Sequence, residues 1–402
     1  MHPRTGLPVV GMVGAGQLAR MTHQAAIALG QSLRILAAHP DDGAALVAAD
    51  VLLGDHTDLA ALRKLAAGSE VVTFDHEHVP PEHLRALVAE GVTVYPGPDA
   101  LIHAQDKQVM RAKLTALGAP VPRWAPVASV EDVISFARGE KDQIVAKATR
   151  GGYDGRGVWM VDHPEQVREL LDAGTPLIVE ERVPLVRELA AVVARSPFGQ
   201  VAAWPVVETV QRDGINVEVI APAPGLSEDL AIEAQELAIR LAAELDVVGV
   251  LAVELFQTPD GIVVNELAMR PHNSAHWTIE GSRTSQFEQH LRAVLDYPLG
   301  ATGLTAPYVV MANLLGGDVT PPPPGAAGGH HDKKPHEMTL DERLHHMFAA
   351  EPGVKVHLYG KELRPGRKVG HVTALGDDLD DVRRRARRAV TWLREGHLPA
   401  NG

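Results

Sequence analysis

The 402-residue sequence predicts an α/β protein. An open, Rossmann-like parallel sheet comes first, then a small α/β unit, then a C-terminal α+β part with a mixed or antiparallel sheet. Three observations carry this reading. Short apolar runs alternate with helical stretches up to about residue 118. A lysine-bearing apolar run at 144–148 opens onto a glycine-rich loop. Beyond residue 184, apolar runs come in pairs around turn residues, as hairpins do.

Residues 7–13 read as a buried strand, because a strand covered on both faces is apolar throughout. Gly14-Ala15-Gly16-Gln17-Leu18-Ala19-Arg20 turns into a helix reaching about Gly30. Strands follow at 34–38, 70–74 and 92–95, the last stopped by Pro96-Gly97-Pro98. Right-handed crossovers then give a parallel sheet. A helix over 99–117 closes this first domain, 1–118. Residues 121–126 read as an extended linker, since each proline restricts its predecessor. The second domain, 119–183, carries the glycine loop and ends in the run 177–180.

The third domain, 184–402, begins with two apolar runs flanking Ser196-Pro197-Phe198-Gly199, a hairpin signal. An amphipathic helix over 226–245 and a second hairpin over 248–268 follow. The proline- and glycine-rich stretch 321–329 is expected to be flexible. It lies in an insert, 321–350, that holds His330, His331, His336, His345 and His346; a solvated insert is expected there. Strands at 354–359 and 368–373 and a helix at 380–395, with an arginine-rich solvated face, form a small C-terminal subdomain.

A hydrophobic fraction of 45% with 22% charged residues is ordinary for a globular protein. The absence of cysteine excludes disulfides, thiol catalysis, iron–sulfur clusters and cysteine-based zinc sites. It suits a reducing cytosol, and a cytoplasmic location is expected. No run of about 18 apolar residues occurs, so no membrane span is expected, and the N-terminus lacks a signal-peptide pattern. A net charge of -13 disfavours non-specific nucleic-acid binding. Acidic substrates must therefore meet local clusters of cations.

One such cluster begins at Lys147. The loop 151–157 has four glycines, Gly151, Gly152, Gly155 and Gly157, together with Tyr153, Asp154 and Arg156. Glycine lets backbone N–H groups approach a ligand closely. Beside a lysine, that is chemistry for holding phosphate. No Gly-Lys-Ser/Thr closes the loop, so it is not a Walker A loop. The alternative is a mobile surface hairpin.

The second hairpin brings two acids together. Pro259-Asp260-Gly261 signals a three-residue turn centred on Asp260. Glu254 and Glu266 then stand directly opposite, with Cβ atoms about 5 Å apart. Two carboxylates at that spacing repel by about 3 kcal/mol at an effective dielectric near 20. A divalent cation converts the repulsion into binding. Oxygen ligands favour Mg²⁺, with phosphate oxygens completing the shell, and Asn265 adds a polar neighbour. A bulge that shifts the register, or an arginine paired with one glutamate, is the competing reading. Arg270, His272, Asn273, Ser274 and His276 follow at the strand end. Lys361, Arg364, Arg367 and Lys368 lie within eight residues, as a receptor for a phosphate monoester or as a charged turn.

With these motifs in view, the chain resembles the ATP-grasp enzymes. Among them it is most similar to the 5-(carboxyamino)imidazole ribonucleotide synthetase family of purine biosynthesis. The carriers are the 14–20 and 151–157 loops, Asn265-Glu266-Leu267-Ala268, His272-Asn273-Ser274 and Arg364-Pro-Gly-Arg-Lys-Val-Gly-His371. The resemblance implies that Lys107 and Lys147 contact ATP and that Gly152, Tyr153, Asp154, Gly155, Arg156 and Gly157 form a lid over its phosphates. It implies Glu180, Glu181, Arg182 and Val183 along adenine, Glu188 at the ribose, and Glu254 and Glu266 on Mg²⁺, with Mn²⁺ as a substitute. Asn265 sits among the ATP contacts.

The substrates implied are bicarbonate and aminoimidazole ribonucleotide. Their surroundings would be Gly14, Gly16, Gln17, Leu18, Tyr153, Arg156, Arg270, His272, Asn273, Lys361, Arg364, Arg367 and Lys368. Asp154 is expected to accept the amine proton, with Lys361 and Arg270 assisting. A homodimer is also implied. Lys107 and Arg111 stand where the family has Arg then Lys, Gln211 where some relatives have His, and Met269, Ala275 and Ala268 where Pro, Gly and Asn are common. The reaction expected is ATP-dependent carboxylation of the nucleotide amine.

Three alternatives stay open. One is another ATP-grasp ligase or a formyl-transferring enzyme on a different ribonucleotide. Another is a nucleotide-binding regulatory protein. The third is a nicotinamide dehydrogenase, whose fingerprint Gly14-x-Gly16-x-x-Ala19 matches in form. No clear acid ends the second strand in that case, where His39-Pro40-Asp41-Asp42 stands.

Overall fold

A computed structural model describes residues 1–137, 143–152, 155–317 and 338–397. The N-terminal sheet is fully parallel, in the order Asp50–Leu53, Ser32–Ala37, Val9–Val13, Val71–Phe74. Val9–Val13 is central and buried at every residue, as its unbroken apolar sequence requires. The strand Asp50–Leu53 was not anticipated, because its polar, half-exposed flank hides it at the sheet edge. The strand expected at 92–95 shrinks to one bridge, Val72 to Val94.

The helix expected over 99–117 is two helices, Pro98–Gln105 and Lys107–Ala116. The break is Asp106, whose extended backbone lets its carboxylate accept from the N–H groups of Gln108 and Val109. This cap aims Lys107 at the glycine loop, where its N–H donates to Thr149 O at 2.8 Å.

A four-stranded antiparallel sheet follows, ordered Trp124–Val127, Leu177–Glu181, Ile144–Ala148, Val158–Val161. The expected linker at 121–126 thus supplies an edge strand, the position in which a sheet tolerates Pro126.

The C-terminal sheet has nine strands, antiparallel at every pairing between them. Gly249–Thr258 lies between Gly261–Ala268 and Arg187–Arg195. One continuous apolar core joins the first domain to this sheet, from Leu62, Phe74 and Leu101 through Leu237 and Leu241 to Val253 and Val264. It holds the ends of the parallel strands against the carboxylate hairpin. The second half of the expected insert is ordered: Leu340–Ala350 is a helix with a Thr339–Glu342 capping box, carrying His345 and His346. His330, His331 and His336 lie outside the described residues. Among the described residues, no helix is long and apolar enough to cross a membrane.

Candidate active site

A cavity of about 1110 Å³ opens where the three sheets meet. Most of the expected residues line it: Gln17, Leu18, Lys107, Lys147, Gly152, Gly155, Arg156, Glu180, Glu181, Arg182, Val183, Glu188, Glu254, Asn265, Glu266, Arg270, His272, Asn273 and Lys368. Tyr153 and Asp154 lie outside the described residues. Gly14, Gly16, Gly157, Lys361, Arg364 and Arg367 are not on the lining.

Glu254 and Glu266 are paired across the strands, but by a different path from the one the turn suggested. The turn has two residues, Pro259 and Asp260, between paired Thr258 and Gly261. Gly261 takes φ +135°, which only glycine adopts cheaply. That turn offsets the register by one. A bulge at Asn265 restores it, since Leu255 faces Val264 whereas Glu254 faces Glu266. Asn265 and Glu266 therefore both serve the cavity. The expected polar neighbour of the pair is the bulged residue itself.

Basic side chains surround this pair. Lys107 Nζ donates to Glu266, and His272 Nε2 stands 3.2 Å from Glu254 Oε1. Burial pushes the Glu254 carboxyl up, but His272, Lys107 and Lys368 outweigh it and its pKa ends lowered. Glu188, one strand away, is raised to about 7 by burial and by the charge of Glu254. Among the described residues, no group of three or more His, Asp or Glu side chains could hold a metal. The two carboxylates fit a cation whose remaining ligands come from a bound phosphate.

Behind them lies a buried cluster. Lys147 Nζ is 2.8 Å from Glu180 Oε2 and donates to Asn265 Oδ1 at 3.0 Å. Burial lowers the Lys147 pKa, with Glu180 opposing. Glu181 accepts from the Arg123 N–H at 2.9 Å, and Arg182 donates to Gln143 Oε1 at 3.0 Å. The glycine loop closes on itself, Ala148 N–H to Gly157 O at 2.8 Å. Gly155 packs so near Gly214 that a Cβ there would lie 3.2 Å from its Cα.

The four C-terminal cations separate. Lys368 lines the cavity, and Lys361 Nζ donates to Gln17 Oε1, tying the C-terminal part to the first loop. Arg364 is exposed and pairs with Glu362 at 2.7 Å; Arg367 is exposed.

Sequence reasoning missed Asp75 and Glu77. Both immediately follow the strand Val71–Phe74, at the carboxyl edge where α/β sheets bind ligands. Glu77 Oε2 pairs with Arg270 Nε at 2.7 Å. Asp75 accepts the Gly16 N–H at 2.6 Å. Gly14 has φ +100°, and a Cβ there would lie 1.8 Å from Asp75 Oδ1. The first glycine loop thus wraps a carboxylate in the place a dinucleotide pyrophosphate would need. That argues against the dehydrogenase reading.

Burial raises the Asp75 pKa to about 6, against the Gly16 N–H and Arg270. A folded-state pKa above the unfolded one means the folded chain binds the proton more tightly. Stability therefore falls as pH rises from about 4 through 6. Asp75→Asn keeps the acceptor and removes the charge. It is expected to exceed the parent in stability by up to about 3 kcal/mol at pH 8, the gap closing at pH 4. Thermal unfolding across that range checks this.

Residues 7–105 match the ribonucleotide synthetase preATP-grasp domain, residues 112–287 the ATP-grasp domain, and residues 309–385 the phosphoribosylaminoimidazole carboxylase C-terminal domain. The chain is 60% identical over 394 residues to the N5-carboxyaminoimidazole ribonucleotide synthase of Mycobacterium tuberculosis, covering 97% of this chain and 88% of the relative. The crystal structure of the Thermus thermophilus synthetase superposes with a TM-score of 0.82 at 37% identity, covering 97% and 99% of the two chains. An Aspergillus clavatus synthase in complex with ADP and 5-aminoimidazole ribonucleotide superposes with a TM-score of 0.83 at 29% identity, covering 96% and 98%. With its three matched domains in order along nearly the whole chain, this protein belongs to the N5-carboxyaminoimidazole ribonucleotide synthase family of ATP-grasp ligases.

Proposed function

We infer that this chain carboxylates the amine of 5-aminoimidazole ribonucleotide, consuming ATP and bicarbonate and releasing ADP and phosphate. The observation that carries the residue assignment is the direct pairing of Glu254 with Glu266, in one cavity with Lys107 and Lys147. Bicarbonate is a poor electrophile. Transfer of the ATP γ-phosphoryl group to it gives carboxyphosphate, whose breakdown delivers CO₂ beside the amine. The amine nitrogen attacks that carbon and loses a proton.

Phosphoryl transfer needs positioning and charge stabilisation more than covalent help from the protein. Lys107 and Lys147 supply fixed positive charge at the phosphates. Glu254 and Glu266 would hold Mg²⁺ or Mn²⁺, which neutralises phosphate charge when bound. Gly152, Gly155, Arg156 and Gly157 cover the phosphates, with Tyr153 and Asp154 assigned to the same lid on sequence alone and Asp154 as proton acceptor. Glu180 to Val183 run along adenine, with Glu188 at the ribose. Arg270, His272 and Asn273 surround bicarbonate. Gly14 to Leu18, Lys361 and Lys368 receive the ribonucleotide, with Arg364 and Arg367 beside its phosphate. Excluding water from this cavity protects a labile intermediate. A cytoplasmic homodimer belongs to the same reading.

ADP release from Mg·ATP and bicarbonate, with and without aminoimidazole ribonucleotide, tests it. Strong stimulation by that nucleotide, with bicarbonate needed for its carboxylation, is expected. Stimulation by another ribonucleotide or by formate overturns the substrate assignment. ATP binding without turnover leaves a regulatory protein.

A further inference from the structure

Arg111 is a fully buried cation that does not line the cavity. It lies one turn after Lys107 on the helix Lys107–Ala116, and its side chain is 0% exposed. A guanidinium cannot shed its charge, so burying it completely demands compensation. Its partners belong to two other elements. Nε donates to Glu180 Oε1 at 2.6 Å, on the small antiparallel sheet. Nη2 donates to the backbone carbonyl of Asn265 at 2.7 Å, at the bulge in the metal-carboxylate hairpin.

These contacts close a ring. Glu180 Oε2 is 2.8 Å from Lys147 Nζ, and Lys147 Nζ donates to Asn265 Oδ1 at 3.0 Å. The cycle Arg111–Glu180–Lys147–Asn265 joins the helix, the small sheet and the bulge. Its charge matters as much as its geometry. A carboxylate bound only to Lys147 would neutralise it. With Arg111 taking the other oxygen, two cations share one anion, and the ring keeps a net positive charge beside the cavity. The ring also holds both ends of Asn265, the residue whose extra place in the strand sets Glu266 opposite Glu254. The same helix delivers Lys107 to Glu266.

We propose that Arg111 is a positioning residue for the nucleotide. By sharing Glu180 with Lys147 and pinning the Asn265 carbonyl, it fixes the phosphate-binding lysine and the second metal carboxylate relative to each other. This rests on the nucleotide reading of the cavity given above. Arg111→Lys keeps a charge but cannot reach in two directions with a planar fork.

The test measures calorimetric affinity for MgADP, KM for MgATP and for the ribonucleotide, and Tm, in the parent and in Arg111→Lys and Arg111→Met. Arg111→Lys is expected to weaken MgADP and raise the KM for MgATP by about tenfold, the worth of one charge-assisted hydrogen bond. The KM for the ribonucleotide stays within twofold, and more metal is needed for half-maximal rate. Arg111→Met is expected to do the same more strongly and to lower Tm. MgADP affinity in Arg111→Lys within twofold of the parent overturns the proposal. So does a rise in both KM values that simply follows a fall in Tm, which marks a structural role alone. A parent that fails to bind MgADP removes the nucleotide reading itself, a result distinct from either.

Discussion

Glu266→Gln is expected to lower ADP formation about 10³-fold or more while leaving the fold intact. The substitution keeps the shape and removes the charge that faces Glu254 across the hairpin. Half of the anionic seat for a divalent cation disappears, and Lys107 loses its partner. Stability should change little, because the Glu266 side chain is 34% exposed and a partly solvated pair contributes about 1 kcal/mol or less. The checks are the rate as a function of Mg²⁺ and Mn²⁺ concentration and the unfolding temperature. An unchanged metal dependence overturns the paired-carboxylate assignment, whatever the rate does.

Arg270→Leu is expected to be the most damaging single change to stability in the site, costing about 3 kcal/mol. Arg270 and Glu77 are mutually paired at 2.7 Å, with side chains 23% and 11% exposed. Arg270 also draws down the buried Asp75. Removing the guanidinium leaves two neighbouring carboxylates short of compensation in a poorly solvated place. Glu77→Leu combined with Arg270→Leu removes both charges and should recover much of the lost stability, since a buried pair is costly chiefly when broken in half. Activity should remain lost in the double variant if Arg270 meets bicarbonate as proposed. Denaturant unfolding and turnover on the two variants separate these effects. Recovery of turnover together with stability would make Arg270 a structural residue only.

Much of this protein was legible without coordinates, because much of it rests on local physics. Unbroken apolar runs such as Val9–Val13 mark buried parallel strands. Apolar runs on either side of Pro259-Asp260-Gly261 mark the hairpin whose two strands carry Glu254 and Glu266. A lysine strand followed by a loop with four glycines suggests a phosphate loop from residue types alone. Motif resemblance supplied the reaction, and the family match agrees with it.

What remained belonged to contacts between distant segments. The carboxylate pairing was expected from a three-residue turn but arises from a two-residue turn and a bulge. The bulge is held by Arg111 and Lys147, which lie more than a hundred residues from Asn265, so no window of sequence could contain the reason for it. Asp75 and Glu77 look like ordinary surface acids until the sheet closes and gives them Gly16 and Arg270 as partners. The cation cluster 361–368 reads as one receptor along the chain, yet of the four only Lys368 lines the cavity, while Lys361 donates to Gln17 and Arg364 and Arg367 are exposed. Sequence alone determined which chemistry is present, through residue types and short-range periodicity. Tertiary structure decided which charges share a low-dielectric space, and the pKa values and pairings there depend on distances that only folding sets.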